Sequence, residues 1–183
     1  MTELLMRTRV RINNFVDEDL IPDYVQFNNV KTFVIIGCSG LKNCKGFPKK
    51  CNYFRLQNCV NLETLEGFPK GAKYDVFSLR YDSGYYHHKL KSYKGMPDAD
   101  FVSIDGLKFK NLNGMGDTKE LSIQYCDDLI KLNPPKSTKD LTILYCRKLK
   151  DLSKMHKMDQ IIVENYNLPK EIFAKFTENL QYS

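Results

Sequence analysis

Short segments in which apolar and polar residues alternate recur about every twenty residues along this chain. The central apolar residues of the seven segments are Ile35, Leu56, Val76, Ile104, Ile123, Ile143 and Val163, with successive gaps of 21, 20, 28, 19, 20 and 20 residues. A second apolar residue stands two positions before each one: Phe33, Phe54, Tyr74, Val102, Leu121, Leu141 and Ile161. Apolar residues at alternate positions predict strands with one buried face. Their regular period predicts a repeat protein whose units stack around one shared core.

The two most regular units read LSIQYCDDLIKL from Leu121 and LTILYCRKLKDL from Leu141, which is the pattern L-x-I-x-x-C-x-x-L-x-x-L. This pattern resembles the unit of the leucine-rich repeat superfamily, and is most similar to its short, Cys-x-x-Leu type of about 20 residues. Unit endings similar to those of bacterial effectors and plant resistance receptors are Gly46–Lys49, Gly67–Lys70 and Gly95–Asp98. The resemblance covers about residues 31–170. It implies that the concave face of a parallel sheet is the ligand surface.

We therefore predict a strand-dominated α/β solenoid, a short leucine-rich-repeat-like parallel β-stack of about seven units forming a single domain over residues 1–183. Its predicted parts are an N-terminal strand cap (1–30), the repeats (31–166) and a C-terminal helical cap (167–183). Val10 and Ile12 alternate with arginines, which predicts the first strand. Asn167 followed by Pro169 is typical of a helix start.

One position of the longer family signature is filled irregularly in this chain. It lies three residues before the first strand leucine of each unit, where an apolar side chain is expected. Val30 and Met158 meet this expectation, whereas Thr118 and Thr138 do not. We interpret these two threonines as departures from the family pattern. Units of only twenty residues also leave little room for helices between the strands.

The six cysteines are interpreted as structural. Four of them, Cys38, Cys59, Cys126 and Cys146, occupy the same position, three residues after a central strand residue. There the small thiol is expected to point into the stack and donate to backbone carbonyls of the bend. Cys44 takes a place that leucine holds in other units. The chain has no Cys-x-x-Cys pair, so we predict no metal site, and reduced thiols favour a cytoplasmic location.

Composition and motifs favour a soluble binding protein over an enzyme. The chain is 42% hydrophobic and 27% charged, without a membrane-length apolar run or the apolar centre of a signal peptide. Its three histidines lack suitably spaced catalytic partners, and Gly37–Gly40 lacks the length and lysine of a phosphate loop. We predict no catalytic residues, no cofactor and no membrane association.

Residues that alternate with the buried strand positions are expected to form the exposed, partner-binding sheet face. The candidates there are Arg9, Arg11, Val34, Ile36, Tyr53, Arg55, Asp75, Phe77, Phe101, Asp105, Gln124 and Leu144. Exposed aromatic residues beside arginine are common anchors of protein interfaces. Tyr85 and Tyr86, in an insertion over residues 80–89, form a second candidate surface. The alternatives are that the N-terminal segment covers the face and that the insertion packs on its neighbours.

The predicted function is non-catalytic protein–protein interaction through the concave face, by occlusion or scaffolding. Because little is appended to the repeats, the chain resembles a pathogen effector or a phage-encoded viral inhibitor, which implies action in the host cytoplasm. The net charge of +6 allows an acidic partner. One alternative is a nucleic-acid binder that uses basic residues, here Arg7, Arg9, Arg11, Arg55, Lys150, Lys154, His156 and Lys157. Another is an adaptor subunit of a larger enzyme complex. Oligomeric state does not follow from the residues.

Overall fold

The fold is a parallel β-solenoid, seen in a computed structural model that describes residues 9–14, 30–82 and 88–164, together with Glu171 and Ala174. Its strands are β1 (Arg9–Asn13), β2 (Thr32–Ile36), β3 (Lys50–Gln57), β4 (Lys73–Arg80), β5 (Asp98–Asp105), β6 (Thr118–Gln124), β7 (Asp140–Leu144) and β8 (Gln160–Glu164). They form one sheet in sequence order, and every neighbouring pair is parallel. Turns and extended backbone connect them wherever the crossovers are described. In the same residues no helix is long and apolar enough to cross a membrane.

One buried column runs through all eight strands, as the twenty-residue period predicts. Its members are Ile12, Ile35, Leu56, Leu79, Ile104, Ile123, Ile143 and Val163. A second column, two residues earlier, consists of Val10, Phe33, Phe54, Phe77, Val102, Leu121, Leu141 and Ile161. Nearly all of these side chains are fully buried. Each strand therefore contributes two inward residues, at alternate positions, to a continuous core. Because the core is shared, the units depend on one another for stability.

The third repeat has a different register from the one predicted. Leu79, and not Val76, pairs with Leu56 and Ile104 and lies in the central column. Val76 faces solvent and is half-buried. The strand contains two overlapping alternating patterns, and the structure adopts the one that places Phe77 against Phe54, with ring centroids 5.6 Å apart and planes 2° apart. Phe33, Phe54 and Phe77 stack in succession along the second column, and we call these three rings the aromatic column. Stacking of Phe77 in this column decides the register of the third repeat.

The longer strands bend, and this bend interrupts the alternation. In β3 the buried residues Cys51 and Phe54 are separated by two residues that are not buried. The same step occurs in β4, β5 and β6, where Tyr74, Ala99 and Thr118 are the buried residues before the bend. Tyr74 is buried there and donates its hydroxyl to the Pro48 carbonyl, 2.6 Å away. The bend therefore creates a third inward column ahead of the other two.

Thr118 and Thr138 belong to this third column, so they fill its buried position although neither is apolar. Both are buried, with 2% of their surface exposed. The Thr118 hydroxyl donates to the carbonyl of Glu120 at 2.8 Å, which satisfies it inside the stack. The full column is Val30, Cys51, Tyr74, Ala99, Thr118, Thr138 and Met158, all of them buried. Thr138 Oγ1 is also buried but has no hydrogen-bond partner among the described residues, so only Thr118 is satisfied in this way.

The predicted caps are described only in part. Val10 and Ile12 of β1 continue the two inner columns, which confirms the strand within residues 1–30. The predicted helical cap at 167–183 lies outside the described residues, apart from Glu171 and Ala174, which are exposed. The named elements are all strands, so the solenoid is strand-dominated, whereas the two described residues of the predicted cap, Glu171 and Ala174, are helical.

A tight bend follows each of the strands β1–β7, and at most of these bends the backbone is left-handed. Asn14, Asn58, Tyr125 and Tyr145 have φ between 51° and 56° there, and Gly106 has φ of 72°. The amide of each bend residue donates to the last strand carbonyl of the next unit, as Gly106 does to Gln124 and Tyr125 does to Leu144, both at 3.0 Å. The bends therefore form a regular ladder along the edge where the strands end.

Candidate binding surface

The solvent-facing side of the sheet, which we call the sheet face, presents three side chains from each strand. Its most apolar part, the apolar patch, consists of Val34, Ile36, Tyr53, Val76 and Phe101. Val34, predicted as an exposed contact residue, is buried, with 8% of its surface exposed, so the accessible part of the patch is formed by the other four. Tyr53, Val76 and Phe101 are direct register neighbours on three successive strands. Because neighbouring strands lie about 4.8 Å apart, these three side chains form one continuous row. All three are half-buried, so the row is accessible within the described structure.

Two predicted sheet-face residues are placed elsewhere because of the register of β4. Phe77 is fully buried in the aromatic column. Asp75 lies at the strand bend, where it accepts a hydrogen bond from Asn52. Val76, Ser78 and Arg80 occupy the sheet face instead. Phe77 and Leu79 have the same spacing as Phe54 and Leu56 in the preceding repeat. The predicted pair, Tyr74 and Val76, has this spacing too, so the sequence offered both choices.

The other predicted residues fall into three groups. Arg9, Arg11, Arg55, Asp105, Gln124 and Leu144 lie on the sheet face as expected. Asp105, Gln124 and Leu144 are neighbours in one row across β5, β6 and β7. They stand apart from the apolar patch, in the second half of the sheet. Tyr85 and Tyr86 lie outside the described residues.

Charge on the sheet face is divided between its two halves. At the sheet-face positions, strands β1–β4 present four arginines, Arg9, Arg11, Arg55 and Arg80, and no carboxylate. At the same positions, strands β5–β8 present four carboxylates, Asp105, Glu120, Asp140 and Glu164, and no basic residue. The apolar patch lies mainly in the basic half. A partner with the opposite arrangement would be oriented as well as attracted.

Arg55 stands in the middle of the basic half, beside the apolar patch. It lies between Val34 and Ser78 in the register of the sheet. Its Nε atom is buried and has no hydrogen-bond partner among the described residues. A buried donor without an acceptor is uncommon in folded proteins and is costly. An acceptor supplied by a bound partner would remove this cost.

At the edge where the strands end, a network of hydrogen bonds fixes Asp82, at the start of the insertion in the third repeat. The Asp82 carboxylate accepts hydrogen bonds from Asn58 Nδ2 and Gln57 Nε2, each at 2.8 Å, and from Arg80 Nε at 2.6 Å. These bonds, the one from Asn58 first, lower the pKa of Asp82 to about 2. Burial has the opposite effect on Asp105 and raises its pKa. Both carboxylates interact with Arg80, but its Nε atom lies 2.6 Å from Asp82 and 3.5 Å from Asp105, so Asp82 has the stronger interaction.

The pKa of Asp82 leads to a prediction about acid stability. Because its folded pKa is about 2, below the ordinary 3.8, ionised Asp82 stabilises the folded state. That contribution is complete above the ordinary pKa and disappears as the pH falls through about 2. We expect the Asp82→Asn variant to lose less stability than the wild type between about pH 5 and pH 2. Thermal unfolding at each pH measures this, and equal losses in both proteins would contradict it.

The cysteines take the structural role predicted for them. The structure describes all six, each of them buried and none in a disulfide. Cys59 donates to the Gln57 carbonyl at 3.5 Å, and Cys126 to the Gln124 carbonyl at 3.3 Å. Cys38 and Cys146 make the equivalent bond. Across the described ranges, no group of three or more His, Cys, Asp or Glu side chains could hold a metal ion.

The basic residues of the last repeats are partly neutralised. Lys148 lies 2.6 Å from Asp128, and Arg147 lies 3.7 Å from Asp127, as expected for ion pairs between neighbouring repeats. The His156 ring nitrogen is 2.8 Å from the Thr138 carbonyl. Lys150, Lys154 and Lys157 are exposed. Of the other residues proposed for nucleic acid, Arg9 and Arg11 are also exposed, and Arg7 lies outside the described residues.

Comparison with known proteins found no matching family model, no similar curated protein and no similar solved structure.

Proposed function

We propose that this protein is a non-catalytic binding module that recognises a partner protein with its sheet face. The observation that carries the proposal is the row formed by Tyr53, Val76 and Phe101, flanked by Arg55 with its unsatisfied Nε. Aromatic residues and arginine are the residue types that dominate binding energy at protein interfaces. The most apolar part of the face thus has the composition of an interface centre.

The division of charge suggests how a partner would be oriented. A partner surface with carboxylates opposite β1–β4 and basic residues opposite β5–β8 would pair with both halves of the face. An acidic group that reaches Arg55 would also satisfy its buried Nε. Charges at the rim of an interface mainly affect the association rate and the choice of partner, whereas the apolar centre supplies affinity.

Three further attributes belong to the same proposal. We propose that the repeats are of the leucine-rich type and that a helix at 167–183 caps the stack. The C-x-x-L spacing and the inward cysteines support the first, and the residues around Asn167 support the second. A role as an effector or phage-encoded inhibitor acting in the cytoplasm rests on the resemblance of the units. An adaptor role in a larger complex uses the same face.

Removing the two aromatic side chains of the row tests the proposal. We expect the double variant Tyr53→Ser with Phe101→Ser to lower affinity for the captured partner at least about 30-fold, because aromatic anchors typically contribute 2 kcal/mol or more each. The partner is first captured from native cytosol with the wild type and identified. Its affinity for purified wild type and variants is then measured by calorimetry.

Ile162→Ser is the matched control, because Ile162 is apolar, 42% exposed and on the same face but outside the apolar patch. It should leave the affinity nearly unchanged. Equal binding by the double variant would refute the proposed interface. A large loss of thermal stability in the double variant would show that the two rings pack against the protein itself and are not available to a partner. Steep weakening with salt and capture of RNA or DNA would favour the nucleic-acid alternative.

A further inference from the structure

A notch opens at the edge where the strands end, beside the acidic half of the sheet face. It has a volume of about 340 Å³ and lies between the third and sixth repeats. The residues on which its chemistry depends are Arg80, Asp105, Gly106, Tyr125, Asp127 and Arg147. A volume near 300 Å³ is at the lower end for ligand sites, and is suited to one side chain better than to a large molecule.

An exposed aromatic stack forms one wall of the notch. Tyr125 and Tyr145 occupy equivalent bend positions, and their rings are stacked with centroids 5.0 Å apart and planes 16° apart. Tyr125 is 54% exposed, the highest value among the large hydrophobic residues that the structure describes. One face of its ring is covered by Tyr145. The next position of the bend ladder on the other side is Gly106, which has no side chain to cover the second face.

Gly106 therefore adds no ring to the stack on this side, and the notch lies beside it. The spacing between steps is that of neighbouring strands, about 4.8 Å, so a planar group could stack on Tyr125 above the glycine backbone. Tyr81, one step further, does not fill the space, because its side chain is buried in the core and its hydroxyl donates to the Cys59 carbonyl at 3.0 Å.

The carboxylates of the notch favour a cation in this space. Arg80 Nε lies 2.6 Å from Asp82 but 3.5 Å from Asp105, so Asp82 takes the stronger interaction. Asp105 is also the more buried of the two, with 18% of its side chain exposed against 34%. Asp127 lies 3.7 Å from Arg147. Arg80 and Arg147 thus line the notch together with three carboxylates. Arg55 also acts electrostatically on Asp105, whose burial makes it the carboxylate that gains most from a further hydrogen-bond donor.

We propose that the notch binds an arginine side chain of a partner protein, with its guanidinium stacked on Tyr125 above Gly106 and hydrogen-bonded to Asp105. A guanidinium is planar, positively charged and rich in donors, and it stacks on aromatic rings, so it fits each wall of the notch. An ammonium group lacks the planar shape. A neutral planar group lacks the charge. This site goes beyond the sheet-face function, and its test does not use the sheet-face partner.

The test is a titration of the isotope-labelled protein with acetyl-Gly-Arg-Gly-amide, followed by backbone amide shifts. We expect saturable shifts at Gly106 and Tyr125, and at least about tenfold weaker binding of the peptide in which neutral citrulline replaces arginine. The lysine peptide should also bind at least several-fold more weakly. Equal binding of the three peptides, or no shift at Gly106 and Tyr125, would overturn the proposal.

Variants at the two tyrosines separate the notch from its surroundings. Tyr125→Asn removes the ring, and asparagine tolerates the left-handed backbone better than tyrosine does, so the fold should persist. We expect it to weaken binding of the arginine peptide at least about fivefold. Tyr145→Asn is the matched control: Tyr145 supports the far face of the Tyr125 ring but does not line the notch, so its variant should weaken binding clearly less than Tyr125→Asn does. Asp105→Asn should weaken binding as Tyr125→Asn does. Equal effects of the two tyrosine variants would count against stacking in the notch.

Discussion

Phe77→Ala is expected to destabilise the protein by about 3–5 kcal/mol, the usual range for removing a buried phenylalanine ring. The ring is completely buried and stacks on Phe54 at 5.6 Å. It also contacts Phe68 edge-on, with centroids 5.9 Å apart. Removing it would leave a cavity in the aromatic column, where rigid neighbours cannot collapse. Chemical denaturation of the wild type and the variant measures the difference in unfolding free energy.

Phe101→Ala is the matched control for this experiment. Phe101 is the same residue type one strand further along the sheet, but it is half-buried on the sheet face. Its removal should cost only roughly 1 kcal/mol, an ordinary value for a single substitution. If both variants lost equally little stability, the assignment of Phe77 to the core would be wrong. The predicted contrast distinguishes a core ring from a sheet-face ring of the same size.

Gly106→Ala is expected to have the second large effect. The left-handed backbone at Gly106, with φ of 72°, costs an L-residue about 1–2 kcal/mol. A Cβ there would also collide with the Tyr81 carbonyl oxygen, which is backbone and cannot rotate away. Overpacking of this kind adds about 1–3 kcal/mol. The combined loss should be visible as a large drop in the midpoint of thermal unfolding.

Gly71→Ala provides the comparison for Gly106→Ala. Gly71 has nearly the same φ, 70°, but the nearest atom to its added Cβ would be Lys49 Cε at 4.0 Å. Its variant should therefore show the backbone cost alone. The difference between the two variants isolates the contact between neighbouring bends. Equal losses would mean that the bends at residues 81 and 106 are further apart than the structure shows.

The solenoid was predictable because its signal is repeated. The spacing of Ile35, Leu56, Ile104, Ile123 and Ile143 appears in several copies, and each copy supports the same register. The inward cysteines were predictable for the same reason, since four of them share one position. A pattern that recurs at a fixed period is difficult to satisfy in any fold other than a stack.

The third repeat was not predictable in this way, because it contains two alternating patterns three residues apart. Tyr74 with Val76 and Phe77 with Leu79 both match the repeat. The choice between them depends on contacts with Phe54 in the preceding strand, which a single unit does not reveal. Since a shift in register exchanges inward and outward side chains, this one error misplaced Asp75 and Phe77 on the sheet face.

The burial of Thr118 and Thr138 in the third column and the notch at Gly106 could not be predicted from the sequence, for different reasons. Thr118 and Thr138 are buried although neither is apolar, and the bond from the Thr118 hydroxyl to the Glu120 carbonyl has no signature in the sequence. The notch depends on a missing side chain, at Gly106, next to an exposed ring, at Tyr125. Bend residues of neighbouring units become adjacent only once the register of the whole stack is known.

The register of β4 is the central claim, because it determines which side chains the sheet face offers to a partner. Nuclear Overhauser contacts between neighbouring strands in the labelled protein measure it directly. The structure predicts backbone contacts that connect Leu56 with Leu79 and Leu79 with Ile104. Contacts that instead connect Leu56 and Ile104 with Val76 would contradict the structure, and would return Phe77 to the sheet face.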